Sequence, residues 1–412
     1  MNIALLGYGT VGSGTYELIE KNKQMIKEKY NISLNITNIL VRNIKKYENL
    51  KNSNLFTTDE NIIFNDNIDI VISVMGGLNP SYEYIKKALK YKKHVITANK
   101  DLIAEYFTEL NDLAYENNVS LNYEASVGAG IPILKPIRDM LSGNNIDSIY
   151  SIINGTTNFI LSQMYENNLS YSEALKIAQN MGFAESDPTS DVKGLDASRK
   201  LAILTMLTFN KYIPWKNIKT TGINNIDSLD IQYAKQLNKK IKLFAISMKV
   251  EKGIYLGVRP VYIEKTNQLS KIDNEYNGIH LYSSLTGDLL FYGKGAGKFP
   301  TASAIFSDLI DILDNNNIKK INLENTTILQ NYPNSSNWFI RFRSDNFSET
   351  TEKIFKVFNN LKFDLNTIEF NKEITIKVYD VKEFFIKNCL SKFSEEKFKY
   401  YLIIKGDSNA EN

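Results

Sequence analysis

The apolar positions of the chain change period several times, and each change marks an element. Ile3 to Leu6 (IALL) is a short unbroken apolar run, the pattern of a strand buried on both faces. From Thr10 to Lys29 the apolar residues Val11, Tyr16, Leu18, Ile19 and Met25 recur at helical spacing. Leu34–Val41, Ile70–Met75 and His94–Thr97 read as further strands, with helices from Pro80 to about Lys92 and through Leu102, Phe107, Leu110 and Leu113. Leu121–Tyr123 continues the series. Strands alternating with helices predict an α/β fold: a doubly wound parallel sheet of Rossmann type with right-handed crossovers.

Beyond Ile131 the alternation stops. PILKPIRDML reads as a helix opened by prolines, and SIYSIINGTTNFIL mixes β-branched residues with a glycine turn. Gly143, Asn144 and Asn145 supply turn chemistry for the start of a second, α+β domain. Tyr292 to Asp311 is a glycine-rich turn followed by a helix, and Asn315–Asn317 with Asn331–Asn337 read as linkers. From Trp338 the order becomes βαββαβ, which predicts a small ferredoxin-like module: WFIRFR, a helix over FSETTEKIFKVFNNL, strands at Leu365–Phe370 and Ile374–Tyr379, a helix over 381–392, then YYLII. The predicted division is 1–141 plus about 292–320, then 142–291, then 335–407.

Composition narrows the partner. With 43% hydrophobic and 23% charged residues among 412, the chain is an ordinary globular one. Its 49 basic and 46 acidic side chains nearly cancel, which argues against nucleic acid and anionic membrane surfaces and for a small-molecule substrate. The lone Cys389 excludes an intramolecular disulfide and, with an N-terminal run that reads as a strand and not a secretion signal, predicts a cytoplasmic protein. His94 and His280 read as ordinary structural residues.

Gly7, Gly9 and Gly12, enclosing Thr10 and Val11, fit G-x-G-x-x-G between the first strand and helix. The first glycine permits a tight turn, the second lets a pyrophosphate reach the backbone, and the third lets helix and strand pack closely. Gly76, after the third strand, joins this cofactor set. The end of the second strand reads Leu40-Val41-Arg42-Asn43, with no acidic residue for a ribose. Arg42 suits a 2′-phosphate, so NADP(H) is favoured over NAD(H).

Residues 182–200, GFAESDPTSDVKGLDASRK, gather Glu185, Asp187, Asp191 and Asp196 before Lys200. Gly182 ends the preceding helix, and from Asp191 a single helix is predicted in which Asp196 and Lys200 share a face. An exposed i, i+4 pair would give the same string.

The spacing through Gly182, Phe183, Asp187-Pro188, Asp191-Val192, Gly194, Asp196 and Lys200 resembles the signature of homoserine dehydrogenases. The same family is resembled in GYGTVG (7–12), VITANK (95–100), EASVGAGIP (124–132), NGTTNFI (154–160) and GKGAGKFPTASA (293–304), in order across residues 1–320. The resemblance implies reversible, NAD(P)-dependent interconversion of L-homoserine and L-aspartate 4-semialdehyde, in threonine, methionine and isoleucine biosynthesis. It implies Lys200 as acid/base with Lys100 assisting near the nicotinamide, and Glu185, Asp196, Thr156 and Gly182 around the substrate. A lysine, with an ordinary pKa of about 10.4, serves as a proton donor, and as a base only where burial or other cations depress it. Gly297 is implied near the nicotinamide end. A monovalent cation, Na⁺ or K⁺, is implied on Glu124 and the carbonyls of Val127, Ala129 and Ile131. Homodimers or homotetramers are implied as well, with an ACT module in the tail. The Asp-x-Pro-Gly entry to that module is replaced by Ser344-Asp345-Asn346-Phe347-Ser348, which points to assembly over threonine sensing. The competing readings are a non-catalytic dinucleotide or amino-acid sensor and another Rossmann amino-acid dehydrogenase.

Overall fold

A computed structural model of the chain describes residues 1–314, 320–368, 372–394 and 398–406. The linker expected at Asn315–Asn317 and the end of the strand expected at Leu365–Phe370 lie outside them. The chain divides into two compact units, Met1–Ile146 with Arg199–Asn217 and Ser283–Thr326, and Asp147–Ser198 with Ile218–Tyr282 and Thr327–Asn412.

The first unit opens with β1 (Asn2–Leu6), α1 (Thr10–Tyr30), β2 (Asn35–Leu40), β3 (Phe56–Thr57), β4 (Ile70–Ser73), α2 (Ser81–Lys90), β5 (His94–Thr97), α3 (Lys100–Glu116) and β6 (Leu121–Asn122). The strands pair in the order β3-β2-β1-β4-β5-β6, each pair parallel. The order reverses beside β1, the switch point at which such sheets bind ligands. Ile3, Ala4, Leu5 and Leu6 have no exposed surface. Burying each of the larger ones contributes about 1.5–3 kcal/mol, which explains why an apolar run without alternation marks the sheet centre. Ile19 and Ile26 of α1 face this core, together with Ile305, Leu309 and Ile312.

The second unit begins with β7 (Ile146–Ile152), α4 (Gly155–Asn167), α5 (Tyr171–Asn180), α6 (Thr189–Val192) and the start of α7 (Leu195–Phe209), which runs on into the first unit. It resumes with β8 (Lys219–Thr220), α8 (Ser228–Gln236), the long antiparallel pair β9 (Lys239–Val250) and β10 (Gly253–Glu264), and β11 (Tyr276–Ser283). The chain then returns to the first unit with β12 (Gly287–Lys294) and α9 (Lys298–Leu313). Its tail adds β13 (Ile328–Leu329), β14 (Ser336–Arg343), α10 (Phe347–Phe358), β15 (Phe363–Ile368), β16 (Glu373–Val381), α11 (Glu383–Leu390) and β17 (Phe398–Ile404).

Three sequence expectations change. The helix predicted over PILKPIRDML forms over residues 134–140 and widens at Pro136–Met140, where the Leu141 N–H bonds the Pro136 carbonyl at 2.8 Å. The predicted glycine turn in NGTT is the first turn of α4, because Asn154 caps it by accepting from the Thr157 amide at 2.8 Å. The helix predicted from Asp191 is split at Gly194, whose φ of 78° leaves the helical region. A side chain there would meet Thr220 Cγ2 and Val258 Cγ1 at 2.9 Å.

The tail, predicted as residues 335–407, has the expected βαββαβ order and lies within the second unit. The strands run β11-β7-β9-β10-β17-β14-β16-β15, so β17 lies parallel to β10 and antiparallel to β14. Ion pairs of two largely buried arginines accompany this join, Arg341–Glu373 being within the tail itself. Arg259 on β10 reaches Glu383 at 2.9 Å, and Arg341 on β14 reaches Asp227 at 2.6 Å, Asp230 at 2.9 Å and Glu373 at 3.2 Å.

Candidate active site

The glycine loop is shaped by what it excludes. Gly7 has φ of 98°, and a Cβ on Gly12 would sit 2.3 Å from the Gly7 carbonyl oxygen, so α1 and β1 approach more closely than any side chain allows. A Cβ on Gly9 or Gly76 would meet nothing within 4 Å. Gly9 is the N-cap of α1, with no side-chain cap and no acidic residue in the first turn, and Thr10 and Val11 begin the helix. Backbone amides and helix dipole there favour an anion. Arg42 follows β2 and is exposed.

Lys100 is the half-buried first residue of α3, placed there by its neighbour. Buried Asn99 caps α3 by accepting from the Leu102 amide at 3.1 Å, while its own amide donates to the carbonyls of Met75 at 3.1 Å and Gly77 at 2.6 Å. One side chain thus sets both the Gly76 loop and the start of the helix bearing Lys100. Gly297, with φ of 123°, opens α9 in the same unit. His94 is half-buried and accepts the Ser120 amide at Nδ1, a structural role, and burial pushes its pKa down.

Glu124 is buried, with its carboxylate accepting the amides of Ile133 at 2.7 Å, Leu134 at 3.0 Å and Lys135 at 2.7 Å. Burial pushes its pKa up and those amides oppose the shift. Val127, Ala129 and Ile131 are buried beside it, and Gly128 and Ala129 have φ of 75° and 44°. Among the described residues no group of three or more His, Cys, Asp or Glu is placed to hold a metal ion.

In the second unit, α5 ends in a Schellman arrangement in which the Gly182 amide bonds the Gln179 carbonyl and the Phe183 amide bonds that of Ala178. Gly182 has φ of 75°. Thr156 Oγ1 donates to the Phe183 carbonyl at 2.6 Å, tying the first turn of α4 to this loop. Glu185 is exposed on the loop, and its carbonyl accepts from Gln179 Nε2 at 3.2 Å. Asp187 accepts the Thr189 amide at 3.1 Å, and hydrogen bonding from the Thr189 side chain, then from that amide, lowers its pKa, which suits its reading as a turn residue. Asp196 is 4% exposed, and Asn154 Nδ2 donates to it at 2.9 Å and to Asp191 at 2.7 Å. Asp191, read from sequence as shaping the turn, therefore also shares the amide that orients Asp196. Lys200 lies one turn further along α7 and is half-buried.

Gly7, Gly9, Gly12, Arg42, Gly76, Lys100, Lys200 and Gly297 therefore belong to the first unit, and Thr156, Gly182, Glu185 and Asp196 to the second. Sequence reasoning missed Asn99 and Asn154. Each stood inside a motif already singled out, and an asparagine directly before a helix start is a cap signal.

A parallel sheet with this strand order and a glycine loop at its switch point defines a dinucleotide-binding α/β protein. Residues 7–124 match the homoserine dehydrogenase NAD-binding domain, and residues 132–310 match homoserine dehydrogenase. The chain is 40% identical over 317 residues to a homoserine dehydrogenase of Bacillus subtilis, covering 76% of this chain and 73% of that one. A homoserine dehydrogenase structure from Thiobacillus denitrificans superposes with a TM-score of 0.90 at 30% identity, covering 99% of both chains. A hyperthermophilic archaeal homoserine dehydrogenase in complex with NADPH matches at a TM-score of 0.66 and 27% identity, over 77% of this chain and 99% of that one. The chain belongs to the homoserine dehydrogenase family, NAD(P)-dependent oxidoreductases that act on a CH–OH group. A non-catalytic sensor finds no support among these relatives. Among the described residues no helix is long and apolar enough to cross a membrane.

Proposed function

We propose that in the interconversion of L-homoserine and L-aspartate 4-semialdehyde Lys200 handles the proton at the substrate oxygen, with Lys100 assisting. The observation that carries this reading is the placement of Asp196 and Lys200 one turn apart on α7, with the Asp196 carboxylate buried and held by Asn154. A carboxylate so oriented binds an ammonium group at a fixed place, and Glu185 supplies a second, solvent-facing one. Thr156 and Gly182 shape the backbone on which these groups sit. In the reducing direction a protonated Lys200 donates to the developing alkoxide; in the oxidising direction the same amine takes the hydroxyl proton.

The residues fit a nicotinamide dinucleotide: Gly7, Gly9, Gly12, Gly76 and the start of α1 would hold its phosphates, with Gly297 nearby. When bound, it supplies or accepts the hydride at the carbinol carbon. Arg42 in place of an acidic residue favours NADP(H), with NAD(H) the alternative. The residues also fit Na⁺ or K⁺ as a structural ion, since Glu124 and the carbonyls of Val127, Ala129 and Ile131 offer only hard oxygen donors. The tail reads as an ACT-like module used for assembly, in a homodimer or homotetramer. Its first helix is entered through Ser344 Oγ, which accepts the Asn346 amide at 3.2 Å, and through Asn346, which accepts that of Glu349 at 3.3 Å.

Lys200→Ala is the test. The expected result is a fall in kcat of about 10²–10⁴-fold, the size of lost general acid–base catalysis, with NADPH affinity nearly unchanged. Near-normal turnover would end the assignment.

A further inference from the structure

We propose that Arg199 and Asp101 form a clamp that positions Lys100 and Lys200, an inference that rests on the roles proposed for those two lysines. Asp101 directly follows Lys100, and Arg199 directly precedes Lys200. Arg199 Nε lies 3.2 Å from Asp101 Oδ1, so the residues flanking the two lysines are bonded to each other. The Arg199 guanidinium also stacks on Trp215, 4.2 Å from the ring centre. Trp215 Nε1 donates in turn to Glu105 Oε2 at 2.8 Å, and Lys216 Nζ reaches Glu105 Oε1 at 2.7 Å. These two bonds hold the Glu105 carboxyl below its ordinary pKa. All of these residues belong to the first unit.

Asp101 and Glu105 are one turn apart on α3, so they share a face of that helix. Arg199 of α7 docks on the first, and the segment leaving α7 docks on the second. Packing of the buried residues Leu201, Ala202 and Leu204 already fixes the rotation of α7; the two polar attachment points set the fine placement of Lys200 against α3. The planar guanidinium of arginine lies flat on a ring while its N–H groups bond a carboxylate, a face-on fit that the compact ammonium of lysine does not reproduce. The pair is partly solvated, with side-chain exposures of 18% for Arg199 and 34% for Asp101. Such a pair contributes little to stability, yet a displacement of about 1 Å at a reacting group costs about 100-fold in rate. The clamp is thus suited to placement.

The test is Arg199→Met, which keeps an apolar side chain beside Trp215 and removes the charge. We expect kcat to fall by about 10- to 100-fold, with the NADPH dissociation constant and the melting midpoint nearly unchanged. The solvent deuterium isotope effect on kcat should rise, because proton transfer becomes slower when Lys200 is misplaced. Asp101→Asn should reproduce this signature from the other partner, and Arg199→Lys should restore only part of the rate. If Lys200→Ala abolishes turnover while Arg199→Met keeps it, the clamp is overturned and the lysine role stands. If Lys200→Ala itself retains turnover, the lysine assignment fails and the clamp falls with it. A joint loss of melting midpoint, NADPH affinity and rate, with the isotope effect unmoved, would show general damage and also overturn the proposal.

Discussion

The glycine loop at residues 7–12 and the acidic loop at 182–196 both lead into helices, and they are built in opposite ways. In the first the backbone does the work: Gly12 tolerates no Cβ beside the Gly7 carbonyl, while Gly9 has open space where its Cβ would be. In the second the backbone turn at Gly182 only delivers side chains, and the carboxylate of Asp196 is set by Asn154, an asparagine 42 residues earlier in the chain. A loop defined by backbone fails when a side chain is added; a loop defined by side chains fails when a remote partner is removed.

Adding a methyl group at Gly12 should give the largest of the contrasting effects. Gly12→Ala places Cβ 2.3 Å from the Gly7 oxygen, and the forced separation of α1 from β1 should cost about 1–3 kcal/mol of stability. A comparable loss in NADPH binding would be roughly 10- to 100-fold. Calorimetric titration and thermal melts read both quantities. Gly9→Ala should leave the melt unchanged, and a large destabilisation there would break the contrast. Next in size, Asn154→Leu strips two carboxylates of a shared amide. Hydrogen bonds to charged groups are worth about 1.5–3 kcal/mol, so KM for homoserine should rise at least about tenfold, with NADPH affinity intact. An unchanged KM would mean that Asp196 does not depend on its remote partner. Smallest is Arg42→Ala, at an exposed residue just beyond β2. It should raise KM for NADPH by several-fold and leave that for NADH nearly untouched. Equal changes for both cofactors would remove Arg42 from phosphate recognition.

The same contrast explains which parts were legible in the sequence. The α/β unit was readable because its signals are local: IALL predicts a strand with no exposed residue, and His94–Thr97 has the bounds expected of it. Gly194 was harder, since a glycine inside an apolar helical pattern does not announce a positive φ; its reason lies in Thr220 and Val258, packed against it from later strands. The NGTT segment was misread as a turn because β-branched threonines follow a glycine, although Asn154 is a strong cap. Asn99 and Asn154 stayed hidden for another reason. Asparagine is abundant along the chain, and their partners at Met75, Gly77, Asp191 and Asp196 meet them only after folding. The join of tail and second unit was equally invisible, because βαββαβ order says nothing about which strand of another element accepts β17.

That join has a consequence for how the protein is made. Strand β17 is translated after β10 and β14, and it lies between them. Until residues 398–404 have left the ribosome, β14 and the Val261–Ile263 segment of β10 present open edges, and an open edge is a template for pairing with a neighbouring nascent chain. At synthesis rates of about 5–20 residues per second, the 133 residues between Glu264 and Phe398 keep that segment of β10 waiting for roughly 7–27 seconds. The second unit thus has a vulnerable interval during translation that the first unit, whose sheet is complete soon after residue 122, does not share.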